Sequence, residues 1–197
     1  MSRFPPIPPD SQTPKQQEVE TKACQIFTRV PPHVHWRGAS GVILGPYSPL
    51  PYTPDLVTPW FDLAFALNQQ LGLTRIEKEL AILAVLAEHN APYVLYAHTE
   101  ISLAAGLSGT QISDAMHGRV PDKLHKAESA VYMIALEMAR SRGPIADNIF
   151  EPAVEALGRE KVARVAHVVG GFSYVALLSN LAAETVPVMQ DAEDTGA

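Results

Sequence analysis

The stretch Thr74-Arg75-Ile76-Glu77-Lys78-Glu79-Leu80-Ala81-Ile82-Leu83-Ala84-Val85-Leu86 decides the fold class. It opens on a capping box, in which Thr74 accepts from the backbone three residues on and Glu77 reaches back to its amide. Ile76, Ile82 and Leu83 then fall three and four positions from Glu79, which is helical spacing; a strand would alternate with a period of two. This helix is expected to run to about His89.

The same punctuation repeats outward. Asn90-Ala91-Pro92 opens the next helix, which should end at Gly106. Ser108-Gly109-Thr110-Gln111 is a second capping box, opening a short helix that ends near Gly118. Asp122 is expected to cap a longer one ending at Gly143. A short helix around Phe150 to Leu157 follows, and the last runs from about Glu160 to Thr185. Upstream, Pro59 stands near the start of a helix carrying Trp60, Leu63, Ala64 and Leu67, which ends at Gly72. The earliest start signal is Thr13-Pro14-Lys15-Gln16, after which Val19, Ala23, Ile26 and Phe27 recur in phase until Pro31-Pro32 stops the helix. No stretch alternates as a strand does, so the class is all-α.

Three regions follow. Residues 1–55 form an N-terminal arm with one helix and a long loop rich in Pro and Gly. Residues 56–189 form a helical domain. Residues 190–197 are acidic and polar, and expected to be disordered. Pro5, Pro6, Pro8 and Pro9 keep the first residues out of a helix. The connection over residues 31–55, with Arg37-Gly38 and Gly45-Pro46-Tyr47, is long enough to imply a use: wrapping the body, covering a pocket or reaching a neighbouring subunit.

Bulk properties narrow the partners. The 197 residues carry a formal net charge of −6 and 47% hydrophobic residues, enough apolar material for a core. No Lys/Arg cluster supplies the basic face that phosphate neutralisation needs, so nucleic acid is not an expected partner. The lone Cys24 forms no internal disulfide and reads as a core residue. With no apolar leader behind Met1, it points to a cytoplasmic, reducing setting. Val165 to Ala183 is long enough to span a bilayer at roughly 20 residues. It is broken by His167, Gly170, Gly171, Ser173, Ser179 and Asn180, and reads as a buried helix of a soluble protein with no membrane contact.

Two titratable groups stand out. Glu79 is in phase with the apolar stripe of its helix, with Arg75 one turn before. Either it forms a structural pair with Arg75, or it is a buried carboxylate available for chemistry. His98 has Val94, Leu95, Ile101 and Ser102 three and four positions away, with the Ser102 hydroxyl a candidate hydrogen-bond partner. Taken alone it is a satisfied core histidine. Two helices joined by a tight turn pack antiparallel, and that packing can bring Glu79 and His98 together as a proton relay near neutral pH. Tyr93, Tyr96, Tyr174 and Asn180 are polar-tipped residues on apolar helices; each lines a pocket or satisfies its own tip in the core. Metal chemistry is not indicated: His89, His98 and Glu100 are not spaced for one ligand set, and no His-Glu-x-x-His or Cys-x-x-Cys occurs. No Gly-x-Ser-x-Gly elbow or phosphate loop is present.

The run Arg75 to Leu83, with Ala91-Pro92-Tyr93, Ala97-His98 and Ala104-Ala105-Gly106-Leu107-Ser108, resembles the core of carboxymuconolactone decarboxylase-like proteins. Arg3-Phe4-Pro5-Pro6, Gly45-Pro46-Tyr47 and the stretch from Asn180 to Val186 resemble the longer members. The resemblance implies a helical bundle of the alkylhydroperoxidase D type with an extended N-terminal arm. It also implies homotrimers or hexamers with sites near subunit interfaces, and acid–base chemistry without a cofactor, with Glu79 and His98 at the family's acidic and histidine positions. Two departures matter. Ala91 and Val94 stand where the redox branch has Cys-x-x-Cys, so no dithiol cycle is available for peroxidase chemistry. Tyr93-Val94-Leu95 stands where decarboxylase-like members commonly read Tyr-Glu-Trp, which makes the surroundings of His98 more apolar.

The sequence therefore leads to a cofactor-free decarboxylase, lyase or isomerase acting on a small carbonyl acid or lactone. His98 and Glu79 are its catalytic candidates. Arg75, Tyr93, Val94, Tyr96, Tyr174 and Asn180 are its substrate-binding candidates. One alternative is a cyclase, isomerase or dehydratase on a larger apolar substrate. Another is a non-catalytic helical oligomer that binds a ligand or partner.

Overall fold

In a computed structural model the chain is described over residues 3–5, 7–27, 30–32, 34–37, 43–183 and 186. Among the described residues seven α-helices carry the structure: α1 (Pro14–Phe27), α2 (Pro54–Gln69), α3 (Arg75–Glu88), α4 (Pro92–Ala105), α5 (Gly109–Met116), α6 (Lys126–Arg140) and α7 (Asp147–Ala182). Among the described residues the sole β feature is an isolated bridge between Arg37 and Ile43, and the all-α class holds. The expected tail at residues 190–197, Pro6, Gly38 and Thr185 lie outside the described residues.

The local signals read from the sequence are made by real atoms. Thr13 and Gln16 cap α1. The Glu77 backbone N–H donates to Thr74 Oγ1 at 3.1 Å, while the Thr74 N–H donates to Glu77 Oε2 at 2.8 Å. Ser108 and Gln111 repeat the pattern on α5. Gly106 closes α4 at φ 109°, a left-handed position that favours glycine.

Two boundaries differ from the sequence reading. The second helix begins at Pro54, a turn before Pro59, which sits inside it. Pro59 and Asp55, whose carbonyl loses its i+4 donor, are both exposed, which leaves that carbonyl on the side open to solvent, and the helix continues through Pro59. The α6 cap is His125 rather than Asp122: Glu128 Oε2 accepts from the His125 N–H at 2.8 Å, while the Asp122 carbonyl accepts from Gln111 Nε2. The break read between the last two helices is present: Gly158, at φ 76°, ψ 155°, is non-helical and kinks α7 there.

The buried helix α3 is central, packed against α4, α5, α6 and α7. From Glu79 to Leu86 every residue is buried. Leu80, Leu83 and Val85 have no exposed surface, each worth roughly 1.5–3 kcal/mol of burial. A second, smaller core joins α1 to α2 through Val19, Ala23, Leu50, Val57 and Phe61. The arm's helix thus shares its core with α2. The long connection folds into short 3-10 turns at Gly45–Tyr47 and Leu50–Tyr52, and the first of these packs on α4 and α7. Helix α7 is long and apolar enough to cross a membrane by length and composition, with 39% of its most apolar window buried.

Candidate active site

The helices α3 and α4 are joined by a three-residue turn over residues 89–91. This turn lays α4 back against α3 and sets Glu79 beside His98. Glu79 Oε2 lies 2.8 Å from His98 Nδ1. The two side chains are 8% and 13% exposed. Arg75 does not pair with Glu79, and among the described residues it has no ion-pair partner. Ser102 Oγ, expected beside His98, donates instead to Glu79 Oε2 at 3.4 Å and is fully buried. The Phe172 ring meets His98 edge-on, centroids 4.9 Å apart at 89°. The imidazole is therefore fixed on one side by the carboxylate and on another by an aromatic wall from α7.

This contact decides the tautomer. A carboxylate accepts only, so Nδ1 carries the proton and Nε2 keeps its lone pair. A base at Nε2 that takes up a proton becomes an imidazolium with Glu79 already in place to stabilise it. The reverse transfer is equally available, so the pair can abstract and return a proton at one position.

Both residues line a cavity of about 450 Å³. Arg75, Lys78, Glu79 and Ile82 contribute one face of α3; Tyr93, Val94, Ala97, His98 and Ile101 contribute α4. Of the sequence candidates, the structure brings Glu79, His98, Arg75, Tyr93 and Val94 to the wall. Tyr96, Tyr174 and Asn180 are not part of it. The Tyr96 hydroxyl accepts from the His35 N–H at 3.2 Å. Tyr174 packs on Trp60 with centroids 4.4 Å apart. Asn180 is exposed near the end of α7. The Tyr93 hydroxyl donates to the His35 carbonyl at 2.8 Å, so Tyr93 and Tyr96 together fasten the long connection to α4.

Sequence reasoning missed several wall residues. Phe27, Tyr47, Trp60, Lys78 and Phe172 all line the cavity. Lys78 was detectable at three positions from Arg75 on the same helix face; its ammonium donates to the Asn68 carbonyl at 2.8 Å. Tyr47 lay within the Gly45-Pro46-Tyr47 segment, and the long connection does cover a pocket. Burial pushes its hydroxyl up to about 12, so it stays neutral. Cys24, expected in the core, is half-buried and accepts from Arg37 Nη2 at 2.8 Å; it is not in the cavity wall. Among the described residues no group of three or more His, Cys, Asp or Glu converges as a metal site.

The described residues form an all-helical protein with a buried Glu–His pair in the wall of an apolar cavity. Residues 54–137, from α2 into α6, match the family model described as Carboxymuconolactone decarboxylase family. This segment contains both Glu79 and His98. No curated protein matches the chain.

Proposed function

We propose that the protein is a cofactor-free acid–base enzyme, a lyase or isomerase acting on a small carbonyl acid or lactone. His98 Nε2 serves as general base and acid, and Glu79 holds the ring and stabilises its charged form. The single observation carrying this reading is the 2.8 Å contact between Glu79 and His98 in the wall of an apolar cavity. An apolar wall strengthens the electrostatic effect of the few polar groups it contains. Decarboxylation, double-bond migration and dehydration all need a proton moved at carbon beside a carbonyl, and this pair supplies it. The experiment is a panel of carbonyl acids and lactones incubated in D2O, read by NMR for deuterium wash-in and by carbon dioxide release. Turnover that survives His98→Gln overturns the assignment.

The cavity volume favours a second reading, the larger apolar substrate. About 450 Å³ lies within the range of sites that enclose drug-sized ligands. Val94 places an aliphatic wall where the family commonly has a carboxylate. A non-catalytic reading is disfavoured by the same geometry, since a decayed site has no reason to keep a buried carboxylate on a buried imidazole.

Assembly into a homotrimer or hexamer is part of the proposal. Its support is an apolar stripe at helical spacing on α7, where Tyr174, Leu177 and Leu181 are 36%, 63% and 50% exposed. Sedimentation velocity tests it; a monomer at micromolar concentration would contradict it.

A further inference from the structure

The charges in the cavity wall are segregated. Arg75, Lys78 and Glu79 all come from one face of α3, and the rest of the wall is dominated by apolar side chains including Phe27, Trp60, Val94, Ile101 and Phe172. Glu79 is already engaged by His98. Lys78 is tethered to the Asn68 carbonyl. Arg75 is exposed, lines the cavity and has no ion-pair partner among the described residues. In a chain of net charge −6, this one sector is locally positive and available to an anion.

We infer that the cavity takes a carboxylic acid with a bulky apolar body, and that this carboxylate docks on Arg75 and is kept through the reaction. The inference rests on the acid–base reading for its second half only. Guanidinium presents paired N–H donors that match a carboxylate, which an ammonium does not. Arg75 and Glu79 stand four residues apart on one helix, about 6 Å along its axis. An acid anchored at Arg75 therefore places carbons a few bonds away against His98, with its apolar body among the aromatic side chains.

Retention follows from charge. Losing carbon dioxide requires the carboxylate to give up its negative charge, and an ion pair with Arg75 stabilises the charged ground state instead. The carboxylate on Arg75 is a handle, and the reacting position is the neighbouring carbon that loses or gains a proton. The bulk of the ligand is set by walls outside the family segment: Phe27, Tyr47 and Phe172 all lie beyond residues 54–137. Ligand size is thus a property of this chain's arm and last helix.

The test is calorimetric titration at pH 7.5 with 2-naphthoate, its amide and acetate. The expected result is at least tenfold tighter binding of naphthoate than of the amide, with no detectable heat from acetate at the same concentrations. Arg75→Gln, checked for folding by its thermal melt, should remove the preference and leave the amide's affinity unchanged. Equal binding of acid and amide, binding of neither, or a preference that survives Arg75→Gln would overturn the docking claim. Loss of the preference in Lys78→Gln alone would move the anchor to Lys78 and overturn it too. For any monoacid that shows deuterium wash-in, release of labelled carbon dioxide from its carboxyl would overturn retention. His98→Gln separates the two proposals: it should bind naphthoate as the parent protein does while losing wash-in.

Discussion

Glu79 and His98 lie 19 residues apart in the chain, yet Oε2 of one is 2.8 Å from Nδ1 of the other. A carboxylate at that distance fixes which ring nitrogen carries the proton. In 15N-labelled protein at pH above the imidazole titration, His98 should show a protonated Nδ1 and an unprotonated Nε2. Free histidine favours the opposite tautomer, so the assignment is distinctive. Replacing Glu79 with Ala should abolish the preference for the Nδ1-protonated form.

The Thr74–Glu77 box sets the start of α3, and through it the position of Arg75 and Glu79. Thr74→Ala removes the acceptor for the Glu77 N–H and should lower stability by about 1 kcal/mol. Thr74→Ser keeps that acceptor and should stay close to the parent protein. Urea unfolding midpoints of the two variants check this.

Gly45 begins the 3-10 turn that brings Pro46 and Tyr47 over the cavity. It sits at φ 81°, and a Cβ there would run into the Tyr93 ring. Gly45→Ala therefore meets a backbone penalty and a side-chain clash together. A loss of about 1–3 kcal/mol is expected, read as a lower thermal midpoint. A variant as stable as the parent would show that this turn is not held against Tyr93.

Two of the six tyrosines should titrate late. Burial pushes both Tyr47 and Tyr132 up to about 12 from 10.0, and the Tyr132 hydroxyl also donates to the Ala115 carbonyl at 2.7 Å. The folded state keeps these protons longer than the unfolded chain does. Their contribution is complete below pH 10 and is lost as pH rises through 12. Tyrosinate absorbance should rise in two stages, with the late stage accompanied by unfolding.

The sequence made the local features legible because each rests on a few neighbouring residues. Three capping boxes, the Gly106 terminus and the all-helical class came from spacing alone. Two prolines five residues apart misplaced the start of α2, since whether Pro59 ends up facing water is a tertiary fact. The Glu79–His98 contact was legible as a possibility through the tight turn between their helices. The family match then gave both residues one home. What spacing did not reveal was the far wall. Phe27, Tyr47 and Phe172 come from segments distant in sequence, and their convergence depends on how α1, the long connection and α7 pack. Tyr96, Tyr174 and Asn180 show the converse. Their residue type suited a pocket, but helical phase and loop contacts took them elsewhere.

The central claim is that His98, held by Glu79, moves the proton. The most direct measurement is the rate of solvent-deuterium incorporation into a substrate from the carbonyl-acid panel, compared between the parent protein and His98→Gln. The account predicts a loss of at least about a hundredfold in the variant, with its thermal melt and naphthoate binding preserved. A variant that exchanges at the parent rate would contradict it.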